Sequence, residues 1–180
     1  MRTRNGPGNF EGKFAVFRLS EVSISGIGAD LDGGSTSTGL LAATSFRLDI
    51  GDFPPWCGQT DAGTLPDRIR SLTVEVNRLH PRTVTTGDYA FGVNAGDPTE
   101  WPHGWFAESR ATCYGPASYI TTGKFSLARL TDSEAQGDLS VTLTDGTVLE
   151  GEFLASKCPP LPGFSPDLDS YPAPLPPCAP

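Results

Sequence analysis

The chain has 180 residues, enough for one β-sandwich or barrel around a single core but cramped for two domains. Twenty-one Gly and 17 Pro punctuate it too heavily for long helices. A formal net charge of −8 sets the surface against nucleic-acid phosphates and anionic headgroups. No apolar run approaches the roughly 20 residues of a membrane helix, so no transmembrane segment is expected.

Apolar residues recur at every second position along the chain. Phe14 and Val16, then Val22 and Ile24, open the pattern, and the Gly-rich segment from Asp30 to Gly39 reads as a flexible loop. Leu40, Ala42, Thr44, Phe46, Leu48 and Ile50 share one parity, with Arg47 and Asp49 on the other. A long connection from Gly51 to Asp67 carries Pro54-Pro55-Trp56-Cys57, and Asp61 to Arg70 has room for one helical turn at most. Leu72, Val74 and Val76 alternate with Thr73, Glu75 and Asn77. Asn94 to Gly104, interrupted by Pro98 and Pro102, reads as a loop that ends where Trp105 and Phe106 begin a strand.

Tyr119, Thr121, Phe125 and Leu127 lead through Thr131–Glu134 into Leu139, Val141 and Leu143, and Asp145-Gly146 marks a hairpin before Val148. Residues 117 to 155 therefore read as a three-stranded antiparallel meander. From Pro159 onward nine prolines exclude a paired strand. The expected architecture is all-β: one antiparallel β-sandwich, jelly-roll-like or immunoglobulin-like, over residues 1–158. A proline-rich C-terminal arm, 159–180, follows it.

Cys57, Cys113, Cys158 and Cys178 are even in number, widely spaced and without a Cys-x-x-Cys pair, which favours two disulfides over a zinc site. Cys158 leaves the meander at the end where residues 131–134 turn, whereas Cys113 enters near the opposite end. Strands of about eight residues separate those ends by roughly 26 Å, against about 5.5 Å between bridged Cα atoms. Cys57–Cys113 with Cys158–Cys178 is the expected pairing, and the second bond would pin the arm. Disulfides imply a secreted or cell-envelope protein. Met1 to Gly8 lack a signal peptide's apolar stretch, as in a mature form whose export signal has been removed.

Two strings carry a resemblance: Pro81-Arg82-Thr83-Val84-Thr85-Thr86-Gly87-Asp88-Tyr89, and the segment Ala117–Cys158 with its Asp145-Gly146 turn and its Leu149-Glu150-Gly151-Glu152-Phe153-Leu154-Ala155 strand. Together they resemble the C-terminal half of uncharacterised secreted bacterial lipoproteins. The resemblance implies a β-sandwich on an exported protein, often lipid-tethered, and no assigned chemistry. The chain departs from that group in lacking a lipobox cysteine and in its proline-rich end.

Catalytic groups are sparse. The two histidines, His80 and His103, sit in no His-Glu-x-x-His, and neither a Gly-x-Ser-x-Gly elbow nor a phosphate-binding glycine loop occurs. The chain is therefore expected not to be an enzyme. Two functions fit: a structural or interaction protein, acting on a protein partner or by self-assembly, or a carbohydrate-binding module. The second would use Trp101, His103, Trp105 and Phe106 as flat faces for sugar rings, with Trp56 and Tyr89 as candidate neighbours. No cofactor is expected. Asp30 and Asp32, spaced by one residue in a Gly-rich loop, suggest calcium, with Asp61, Asp67, Asp97 and Glu100 as further ligands. The full loop template is missing, and turn formation is the better-supported role.

Overall fold

The structure, a computed structural model, describes residues 2–4, 10, 12–27, 38–52, 69–92, 99–110 and 113–158. They hold nine strands: β1 (Arg2–Arg4), β2 (Phe14–Ile27), β3 (Thr38–Gly51), β4 (Ile69–Leu79), β5 (Gly87–Phe91), β6 (Glu100–Arg110), β7 (Cys113–Leu130), β8 (Glu134–Leu143) and β9 (Val148–Lys157).

Seven of them form a ring. Antiparallel ladders join β2 to β3, β3 to β4, β4 to β6, β6 to β7, β7 to β8 and β8 to β9. The ring closes through parallel pairs Val16–Ser156 and Phe17–Lys157 between β2 and β9. At that seam the Cys158 amide donates to the Phe17 carbonyl at 2.9 Å. Directions cannot alternate all the way round an odd ring, so one neighbouring pair has to be parallel. β2 and β9 are that pair.

The expected antiparallel β-sandwich is thus replaced by a closed seven-stranded barrel of mixed strand orientation. Alternation tells each strand which face is dry, and two stacked sheets satisfy that as well as one sheet curled on itself. Only the short seam between the first and last long strands decides between them, and it leaves no local pattern.

β1 and β5 lie outside the ring. β1 pairs with β9 over Val148–Glu150, on the same edge that β2 meets further along. β5 takes over the β7 edge at Gly123–Leu127, beyond the Cys113–Tyr119 stretch that β6 occupies. The meander expected over 117–155 is present as β7, β8 and β9. Its second turn is held by the Gly146 amide on the Leu143 carbonyl and by Asp145 Oδ1 accepting from the Thr147 amide.

The barrel interior is filled by rings. Phe17 stacks on Phe46 at 5.7 Å, Phe46 meets Phe125 at 5.7 Å, and Phe125 contacts Tyr89 at 5.9 Å and Phe153 at 5.5 Å. Phe17, Phe46 and Phe125 are fully buried, and Leu48, Leu72, Val74, Val76, Leu127, Leu143 and Leu149 pack around them. Phe10, ahead of β2, adds an edge-on contact to Phe106 at 5.2 Å. Gly137 lies opposite Phe153 in register, and a Cβ there would sit 1.9 Å from the Ser126 carbonyl oxygen and 2.9 Å from Phe153 Cζ. Only glycine lets β7 and β8 approach this closely over a phenylalanine.

A second correction concerns residues 94–104. β6 begins at Glu100, so Trp101 to Gly104 lie in a strand, where Pro102 and Gly104 suggested a loop. Gly104 is required by close packing: a Cβ would meet the Thr73 carbonyl oxygen at 2.4 Å and Ile120 Cδ1 at 2.7 Å. Residues 30–37, 53–68, 93–98 and 159–180 lie outside the described residues. With them go the expected Gly-rich loop, the helical turn near Asp61, and the arm.

Candidate functional site

Strand parity divides the Trp101–Phe106 segment. Pro102, Gly104 and Phe106 register with Val76, Val74 and Leu72, the inward residues of β4. Trp101, His103 and Trp105 register with Asn77, Glu75 and Thr73, which face outward. The outward rows continue to Ser45, Arg47 and Asp49 on β3, and on the other side Trp105 pairs with Tyr119 of β7. One outer face therefore carries Trp101, His103, Trp105 and Tyr119 beside a polar strip on β3 and β4.

The two halves of this face differ in exposure. Trp101 is 40 % and Tyr119 60 % exposed, whereas Ser45, Thr73 and Asn77 are all buried. Aromatic rings thus stand in solvent while small polar groups line a floor beside them. Trp105, half-buried, is held from two directions. The His103 ring stacks on it at 6.3 Å with 27° between planes, and the Arg47 guanidinium lies 5.6 Å from its centroid.

Hydrogen bonds fix the polar strip. Arg47 donates to both Asp49 oxygens at 3.0–3.1 Å, and Thr73 Oγ1 donates to Asp49 Oδ1 at 2.7 Å. Glu75 Oε1 accepts from Ser45 Oγ at 3.1 Å and from Asn77 Nδ2 at 3.5 Å, while Glu75 Oε2 faces His103 Nε2 at 3.7 Å. Among the described residues Asn77 Oδ1 is the one buried side-chain polar atom without a hydrogen-bond partner.

Ser45, Glu75 and His103 have the residue types of a hydrolytic triad in the wrong order. The carboxylate stands between the hydroxyl and the imidazole, so these three residues lack the hydroxyl–imidazole contact of such a triad. The face offers flat rings and hydrogen-bond acceptors, which suit recognition.

Of the expected site residues, the fold brings Trp101, His103 and Trp105 together and turns Phe106 inward against Phe10. Tyr89, a candidate neighbour, is only 2 % exposed and belongs to the core, its hydroxyl donating to the Thr85 carbonyl. Asp30, Asp32 and Trp56 lie outside the described residues. Among the described residues no group of three or more His, Cys, Asp or Glu is placed to hold a metal ion. Cys158 is buried and disulfide-bonded, and the side chains of Cys57, Cys113 and Cys178 fall outside the described residues.

The Lys124 ammonium and the Ser126 hydroxyl beside Asp88 hold its carboxyl below the ordinary carboxylate value. The Thr147 amide does the same for Asp145, and burial raises the Tyr89 phenol. Sequence reasoning found the aromatics but missed Tyr119, Arg47, Asp49, Glu75 and Asn77 as their companions. The wet parity of β4 was visible; which strand lay beside it was not.

No protein family matches the chain, and no curated protein or solved structure matches it either.

Proposed function

We propose that this chain is a non-catalytic, secreted or cell-envelope binding module that takes carbohydrate on the outer face built by Trp101, His103, Trp105 and Tyr119. The observation carrying this reading is the shared outward parity of three aromatic residues on β6 with Tyr119 opposite Trp105, flanked by acceptors fixed on β3 and β4. Sugar rings present apolar C–H faces bounded by hydroxyl donors, which is the complement of that surface. The packed interior supports it too, because the rings of Phe46, Phe125 and Phe153 fill the space an internal ligand would need. The disulfide at Cys158 supports an oxidising compartment, with Cys57–Cys113 and Cys158–Cys178 as the proposed pairing.

Tryptophan fluorescence titrated against a panel of soluble oligosaccharides tests the reading. Quenching by at least one sugar is expected, weakened roughly tenfold in Trp101→Ala and Trp105→Ala. Binding unchanged in both variants, or no response from any sugar, refutes it.

A second reading, self-assembly, rests on β1. This strand of three residues pairs with β9 through Arg2–Glu150, Thr3–Leu149 and Arg4–Val148, and a terminal element of that size is the kind that two copies can exchange. Light scattering over a concentration series would then show growth in mass; a constant monomer mass excludes it.

A further inference from the structure

Asn77 is 8 % exposed, yet its Oδ1 has no hydrogen-bond partner among the described residues. A buried carbonyl oxygen left unmet is costly, and folded proteins rarely tolerate one without a use for it. The side chain is on the outer face, because its Nδ2 reaches Glu75 Oε1 and its register neighbours are Ser45 and Trp101. The orphan oxygen therefore belongs to the floor of the aromatic face, beside the exposed Trp101.

The chemistry of the floor restricts what can meet that oxygen. Its next neighbour is the Glu75 carboxylate, also an acceptor, so the incoming group has to be a donor. A cationic amine is less suited, because the Arg47 guanidinium already stands opposite Glu75 in register. A plain hydroxyl donates too, but it brings acceptor lone pairs toward the Glu75 carboxylate and adds no apolar area beyond the sugar ring's own C–H face. An acetamido group meets both points: its N–H is a donor without acceptor character, and its planar, methyl-bearing plate can lie against Trp101 or Trp105.

We infer that Asn77 Oδ1 is the specificity-determining acceptor of this face and takes the amide N–H of a 2-acetamido sugar, with the acetyl group seated on the neighbouring indole. The inference rests on the carbohydrate-binding reading above and narrows it to one sugar class.

Calorimetric titration with β-1,4-linked trimers of N-acetylglucosamine, of glucosamine and of glucose tests it. Wild-type protein is expected to bind the N-acetylated trimer at least roughly tenfold more tightly than the other two. Asn77→Ala, shown folded by its melting curve, should lose that preference while keeping weak affinity for all three. Asn77→Asp, which keeps an acceptor oxygen, should retain more of the preference than Asn77→Ala. A purely structural Asn77 would change stability without changing the ratio between trimers. Equal binding of the three by wild type, or an undiminished preference in Asn77→Ala, overturns the role of Asn77 and leaves the binding face standing. Failure of wild type to bind any of the three overturns the inference, and silence across the wider oligosaccharide panel would remove the binding face as well.

Discussion

Phe125 is the hub of the interior, and removing its ring probes how full the barrel is. The side chain is fully buried and contacts Phe46, Tyr89 and Phe153 at ring separations of 5.5–5.9 Å. Phe125→Ala deletes the ring and leaves a cavity walled by three other rings that are themselves buried and unable to collapse far. Core Phe→Ala changes cost about 3–5 kcal/mol, and each aromatic pair adds roughly 0.5–1.5 kcal/mol beyond area. The expected loss is about 5 kcal/mol, comparable with the whole stability of many domains. Urea unfolding followed by tryptophan fluorescence measures it, with Leu154→Ala, 62 % exposed, as a control expected to change stability by less than about 0.5 kcal/mol. If Phe125→Ala cost less than about 1.5 kcal/mol, the ring would not be tightly packed, and an internal ligand cavity would return as an option.

Other outcomes follow from the same geometry. Gly137→Ala, with its Cβ 1.9 Å from the Ser126 carbonyl oxygen, should destabilise by more than about 3 kcal/mol in chemical denaturation, or prevent folding. Burial raises the Tyr89 phenol above its ordinary value, so its stability contribution is complete below pH about 10 and is lost as pH rises through the folded-state value. Absorbance at the phenolate band should show one tyrosine titrating late, together with unfolding, and Tyr89→Phe should remove that late step. Asp145 is lowered by the Thr147 amide, so its contribution is present above pH about 4 and disappears as pH falls through the folded-state value. Melting curves of Asp145→Asn should therefore lie below wild type at pH 7 and converge with it in acid.

The sequence revealed single strands far better than their neighbours. The alternation of Leu72, Val74 and Val76 with Thr73, Glu75 and Asn77 is a local property, and the structure keeps that parity. Asp145-Gly146 and Thr131–Glu134 likewise carry their turns in their own chemistry, so β7 to β9 could be assembled without knowing the rest. Closure could not be read, because two residue pairs between β2 and β9 decide it and their side chains are ordinary for any strand. Trp101-Pro102-His103-Gly104-Trp105 did carry a period-two signal, small residues inward and large ones outward. Proline and glycine obscured it because their usual meaning is interruption. The polar half of the candidate face was hidden for the same reason as closure: Asn77 meets Trp101, and Glu75 meets His103, only after β4 and β6 are known to be neighbours.

The direct test of an outer recognition face on a solid barrel is a residue-resolved map of ligand contact. Amide and indole N–H resonances of labelled protein, recorded while the N-acetylglucosamine trimer is added, separate the two faces of β6 and β7. Shifts centred on Trp101, His103, Trp105 and Tyr119, with Phe106, Phe125 and Leu127 little changed, are the expected result. Shifts centred on the inward residues instead, or none anywhere on β6, would contradict it.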